Sequence, residues 1–106
     1  MYDENNIFAK IIRGEMPCEK IYEDDSVLFF KDINPSAKIH VLGVPKAPSV
    51  DFSDFILKTD PVAVAEFYKK INMVIGKLGI KESGFKIITN SGDNGGVWSV
   101  DPTATI

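Results

Sequence analysis

The chain has 106 residues, 44% of them hydrophobic and 25% charged, the size and balance of one globular domain whose core has limited reserve. Its formal net charge is -3 and its pI about 5.0. Twelve Lys and Arg residues are scattered among fifteen acids, which leaves no basic footprint for nucleic acid. No apolar run approaches the roughly 20 residues that span a bilayer. A single cysteine, Cys18, excludes an intramolecular disulfide. The acidic, polar run that follows Met1 is unlike a signal peptide. These features predict a soluble, cytoplasmic protein with neither a membrane nor a nucleic-acid partner.

In chain order, Ile7, Phe8, Ile11 and Ile12 share one helical stripe. Gly14 stops that helix, and Pro17 bars its continuation. Residues 20–23 and 27–30 read as strands joined by a turn at Asp24-Asp25. Asn34-Pro35 breaks the second strand, and residues 40–44 form a third, ended by Pro45. Residues 51–57 are ambiguous between loop and a short helix capped by Asp51 or Ser53. The clearest helix begins at Asp60 as N-cap with Pro61 at the first position. Val64, Phe67, Tyr68, Ile71, Val74, Ile75 and Leu78 make its apolar face, and Gly79 ends it. Phe85, Ile87 and Thr89 then share one face of a strand. The order of elements predicts an α+β fold, a helix packed on one face of an antiparallel sheet.

Few residues offer chemistry. The turn Asn90-Ser91-Gly92-Asp93-Asn94-Gly95-Gly96 could form an anion nest from its backbone N–H groups. Taken locally, a plain hairpin turn explains it better. His40 is the sole histidine. With no second histidine or cysteine beside it, it forms no zinc site of the usual type, and no metal or cofactor is called for. Asp32 could accept both hydroxyls of a ribose or close a turn with Asn34-Pro35. Phe8, Phe30 and Ile33 could line a base-sized slot, although spacing alone favours core. Cys18 reads as a small turn residue beside Pro17 rather than a catalytic thiol. Trp98 and Ser99 carry no specific signal, since an unactivated serine is a poor nucleophile. Asp24-Asp25 and Lys69-Lys70 read as solvent-facing.

Four ordered blocks form a more specific pattern. They are Asn6-Ile7-Phe8-Ala9-Lys10-Ile11-Ile12-Arg13-Gly14-Glu15-Met16-Pro17, then Lys20-Ile21-Tyr22-Glu23-Asp24-Asp25, then Asp32-Ile33-Asn34-Pro35 with His40-Val41-Leu42-Gly43-Val44-Pro45-Lys46, and the turn from Asn90 to Gly96. In this order and register they resemble the histidine triad (HIT) family. The resemblance implies one domain over residues 1–106, a five-stranded antiparallel sheet with two helices, and a homodimer joined through the long helices and the strands near residues 85–89. It implies a purine nucleotide or nucleoside monophosphate as ligand. By position, Ile7, Phe8, Ile11, Phe30 and Ile33 would line the base pocket. Asp32 would hold the ribose, Asn90 the sugar or phosphate edge, and Gly95 and Gly96 the phosphate. His40 would match a supporting histidine.

One departure bears on chemistry. In the family the glycine pair leads into a strand carrying His-x-His-x-His, whose middle histidine attacks the α-phosphorus of the nucleotide. Here Val97-Trp98-Ser99-Val100-Asp101-Pro102-Thr103-Ala104-Thr105-Ile106 follows, without histidine. Pro102 is expected to interrupt the strand. Asp101 and Thr103 have no base beside them, so no catalytic residue is assigned and hydrolysis is expected to be negligible. Two accounts fit: a natural non-catalytic binder, or an enzyme sequence interrupted after Gly96. The abrupt end of the resemblance favours interruption.

Overall fold

The computed structural model describes residues 7–15, 18–31, 41–47, 49–90 and 97–102 and, of Ile7, Phe8, Asn90 and Pro102, the backbone. Its elements are α1 (Ile7–Ile12), β1 (Lys20–Glu23), β2 (Val27–Lys31), β3 (Val41–Pro45), α2 (Phe52–Lys58), α3 (Pro61–Leu78), β4 (Phe85–Asn90) and β5 (Val97–Pro102). The five strands form one antiparallel sheet in the order β1-β2-β3-β5-β4.

Local chemistry sets the helix ends. Gly14 takes a left-handed φ of 78°, and the N–H of Glu15 returns to the Lys10 carbonyl at 2.9 Å. That bond closes α1 with a positive-φ cap that glycine adopts without strain. The segment 51–57, ambiguous by periodicity, gives rise to α2 (Phe52–Lys58), a third helix beyond the two the resemblance implies. Asp51 caps it by accepting from the Asp54 N–H at 2.8 Å, while the Asp54 carboxylate accepts from the Val50 N–H at 2.8 Å. Asp60 caps α3, Pro61 opens it, and Gly79 ends it at a φ of 70°.

α3 lays Phe67, Ile71, Val74 and Ile75 on the sheet, where they meet Val27, Phe29, Val41, Trp98 and Val100, with Phe55 of α2 completing the core. Trp98 is the largest fully buried side chain in it, a packing role that the sequence reading does not assign to this residue. The Trp98 ring meets Phe55 and Phe67 edge-on at centroid distances of 5.0 and 4.7 Å, a favoured geometry for aromatic quadrupoles. Its indole N–H donates to the Tyr68 hydroxyl at 3.1 Å, so the polar edge of a buried ring is satisfied.

The stretch after the glycine turn is therefore a strand, and an internal one. β5 pairs with β3 through Val41–Val100, Leu42–Ser99 and Gly43–Trp98. It pairs with β4 from Phe85–Pro102 to Asn90–Val97. Pro102 stands at the last position of the strand, where its missing donor does not break the ladder behind it. The expected interruption by Pro102 does not occur within residues 97–102.

The turn between β1 and β2 is tied to α3. Asp24 accepts from the Tyr22 hydroxyl, the Ser26 N–H and the Val27 N–H at 2.8, 2.8 and 3.1 Å. The Lys70 ammonium lies 2.8 Å from Oδ2, the oxygen that also accepts from Tyr22. Asp25 and Lys69 face solvent as expected, but Asp24 and Lys70 do not behave as free surface charges. Partial burial pushes the Asp24 carboxyl up, yet Lys70, the Ser26 N–H and the two hydroxyls outweigh it and hold the group well below the usual carboxylate range. A lowered folded-state pKa stabilises above the unfolded value, about 4, and that contribution fades as pH falls below it. Asp24→Asn is expected to lower stability by about 1.5 kcal/mol at pH 7. In urea titrations the gap between variant and parent should narrow on acidification towards pH 3. A gap that stays constant with pH would mean that the carboxylate charge contributes nothing.

The two sheet edges differ. β1 carries a register irregularity between Lys20 and Tyr22, and ion pairs Lys20–Glu23, Lys46–Glu23 and Lys31–Glu19 line it, each at 2.7 Å. Bulges and charges of this kind discourage edge pairing. β4 instead leaves Ile87 and Ile88 exposed at 40% and 39%, one on each face.

Candidate functional site

The sheet face opposite α3 holds a second cluster. Ile11 of α1, Leu28 and Phe30 of β2, Leu42 and Val44 of β3 and Val97 of β5 bury one another, with Ile12 and Cys18 packed against them. Ile11 and Phe30, both assigned to a base slot from sequence, thus share one cluster. Ile7 and Phe8 lie on α1, and Asn90 ends β4. Asp32, Ile33, His40, Gly95 and Gly96 lie outside the described residues. Cys18 is a free, half-buried thiol against the cluster's edge.

Strand register orders this face into rows. Leu28 stands opposite Val44. One row further, Phe30 opposes Leu42, Leu42 opposes Ser99, and Ser99 opposes Ile88. The next row sets Asp101 opposite Lys86. Because side chains alternate along a strand, Val97, Ser99 and Asp101 share this face while Trp98 and Val100 enter the helix-side core. The surface therefore grades from an apolar end, through the buried Ser99 hydroxyl, to a charged end at Asp101 and Lys86.

Such a gradient suits a ligand with a flat apolar body and a polar extremity. The cluster supplies dispersion and burial, Ser99 a hydroxyl, and Asp101 a carboxylate acceptor. Ser99 and Asp101 are not assigned to the site from the sequence. The alternation of apolar and polar residues from Trp98 to Asp101 is the signal that locates them, once the segment is read as a strand. Among the described residues no group of three or more His, Cys, Asp and Glu is placed to hold a metal ion. A separate apolar cavity of about 80 Å³ lies on the helix side, between Val27, Pro45 and Ala47 of the hairpin and Phe55, Ala63 and Phe67 of the helices.

An antiparallel sheet with α2 and α3 packed on one face, and an apolar cluster that includes Ile11 of α1 and ends in a polar row on the other, defines a small α+β protein. The chain belongs to the HIT family: the HIT domain model matches residues 13–99. An uncharacterized HIT-like protein of Helicobacter pylori is 47% identical over 91 residues, which cover 86% of this chain and 84% of that protein. The solved structure of a histidine triad protein from Clostridium difficile superposes with a TM-score of 0.82 at 34% identity, covering 100% of this chain and 96% of that one. A HIT family hydrolase from Clostridium thermocellum gives 0.78 at 32% identity, with coverage of 98% and 95%. The α+β, five-stranded HIT-like architecture expected from the sequence is thus the one found. Among the described residues no helix is long and apolar enough to cross a membrane.

Proposed function

We propose that this chain is a purine-binding HIT protein of a single domain, residues 1–106, that acts in the cytoplasm and does not itself catalyse the family's reaction. That reaction is hydrolysis or transfer at the nucleotide α-phosphate through a histidine nucleophile. The observation that carries the reading is the cluster uniting Ile11 of α1 with Phe30 of β2 on the sheet face away from α3. Ile7, Phe8 and Ile33 complete the base pocket, Asp32 holds the ribose, Asn90 contacts the sugar or phosphate edge, and Gly95 and Gly96 border the phosphate. His40 supports the site.

Absence of chemistry follows from composition. The sole histidine is His40, and the described β5 presents Ser99 and Asp101 on the site face. Loss of a covalent nucleophile with its supporting groups costs several orders of magnitude in rate. A HIT family hydrolase shares this fold, so the loss of activity proposed here rests on the missing histidines and not on a change of architecture.

The expected result is purine binding in the micromolar range, roughly -8 kcal/mol, seen by calorimetry, with no measurable turnover of an adenosine phosphoramidate. Turnover near that of a HIT relative bearing the three histidines would overturn the inactive reading. Binding by neither adenosine nor its monophosphate would leave a scaffold with a vestigial pocket. The exposed Ile87 and Ile88 on β4, the last strand in the sheet order, support a homodimer formed there with α3. Sedimentation equilibrium is expected to give twice the chain mass, and a monomer at micromolar concentration would remove the dimer.

A further inference from the structure

We propose that the β1–β2 turn, the end of β3, α2 and the first turns of α3 together form a docking surface for a basic, apolar peptide segment of another protein. At its centre is the apolar cavity of about 80 Å³ on the helix side. Val27, Pro45, Phe55 and Phe67 are buried and form its floor, whereas Ser26, Ala47 and Ala63 are exposed and mark its mouth. The space is several times what one water molecule needs, but its mostly apolar lining offers water few hydrogen-bond partners. A branched aliphatic side chain suits it better, since it would gain both burial and dispersion contacts. More apolar surface lies beside the mouth. Among the described residues, four of the seven exposed large hydrophobic side chains, Phe52, Ile56, Leu57 and Val62, belong to α2 and the first turn of α3. Leu57 and Val62, the most exposed of them, flank Thr59 and Asp60 in the chain. Apolar side chains gathered beside an open cavity mark an interaction surface better than single scattered ones do.

Charge selects the occupant. The segments that build this end, residues 23–27, 45–47 and 51–70, hold seven carboxylates and four lysines, while the rest of the chain holds eight acids and eight Lys or Arg residues. The whole formal excess of -3 therefore lies here. The four lysines are already engaged: Lys46 with Glu23, Lys58 with Asp54, Lys69 with Glu66 and Lys70 with Asp24, at 2.7, 3.1, 3.8 and 2.8 Å. Asp25 and Asp60 adjoin Ser26 and Thr59 of the cavity wall and form no ion pair among the described residues. A second copy of the chain would bring the same negative excess against this face, which opposes self-association there. A segment with Lys or Arg around an aliphatic anchor meets both the cavity and the charge.

A phage library of random linear peptides, selected on the natural chain and counter-selected on Ala63→Leu, tests this. Ala63 is exposed and both residues favour helix, so the variant should keep its urea midpoint while its larger side chain occupies the mouth. Enriched sequences are expected to combine Lys or Arg with a branched aliphatic residue. Measured by fluorescence anisotropy, a synthesised winner should bind Ala63→Leu at least about tenfold more weakly, as when an aliphatic side chain loses its burial. The double variant Asp25→Asn, Asp60→Asn keeps the α3 cap, because Asn caps as well as Asp. It should weaken binding about threefold or more at low ionic strength, and the gap should narrow as salt is raised. Failure of any peptide to survive counter-selection would overturn the proposal, as would winners that are acidic or lack an aliphatic residue. So would an affinity that neither variant moves. A dimer of the natural chain that Ala63→Leu dissociates would assign the face to a second copy and overturn it too.

Discussion

Trp98→Ala is expected to lower unfolding free energy by about 3–5 kcal/mol, the range for deleting a large buried aromatic side chain. A domain of this size holds about 5–15 kcal/mol in total, so the variant should lie close to the threshold of folding. The residue is fully buried, and its ring is enclosed by Phe55, Phe67 and Tyr68. Truncation leaves a cavity between β5 and α3 and frees the Tyr68 hydroxyl from its indole partner. Trp98→Phe is the milder change, since it keeps an aromatic ring in the slot while losing the donor and part of the volume. Its expected cost is about 1–2 kcal/mol, from lost volume and one hydrogen bond. Urea midpoints of the three proteins should rank in that order. A Trp98→Ala shift below about 1 kcal/mol, the size of an average substitution, would mean that β5 does not fill the slot between β3 and β4.

Gly43→Ala should be the next most damaging single change, at about 2 kcal/mol for overpacking a closed core. Gly43 sits opposite Phe29 across β2 and β3. A methyl group built there would come within 2.5 Å of Phe29 Cε1 and 2.8 Å of Cδ1. The phenyl ring cannot simply swing away, because it stacks on Phe67 with centroids 6.2 Å apart and is fully buried. Relief should come from shrinking the ring. Combined with Phe29→Leu, the glycine substitution is expected to cost at least about 1 kcal/mol less than it does alone, a coupling typical of residues in contact. Strictly additive midpoints would show that the clash is absorbed elsewhere.

These two positions also show where sequence reading succeeds and where it stops. The α3 helix was legible because its caps and its apolar spacing all lie within one continuous stretch, from Asp60 to Gly79. The strands before it were legible for the same reason. Trp98 was not, because its meaning depends on Phe55, Phe67 and Tyr68, which become neighbours only after the sheet receives two helices. Pro102 argued against a strand, yet it falls at the strand's last position, where a proline is tolerated. Asp24 and Lys70 looked like solvent-facing charges because their pairing joins a hairpin turn to a distant helix. Of the candidate site, Ile11 and Phe30 were found through family resemblance and meet in one cluster. Ser99 and Asp101 required the alternation of β5, which a reading focused on missing histidines passes over.

The position of β5 has a consequence for how the chain matures during synthesis. β4 is translated before β5, yet among the described strands it pairs with β5 and not with β3. When β4 leaves the ribosome, the strand that joins it to the sheet does not yet exist. Until that strand emerges, the β3 edge and the underside of α3 lack Trp98 and Val100, two of their principal partners. Non-local closure of this kind slows folding and leaves strand edges transiently open to other chains. A stalled nascent chain ending before residue 97 is therefore expected to be prone to aggregation, with completion of β5 closing the sheet.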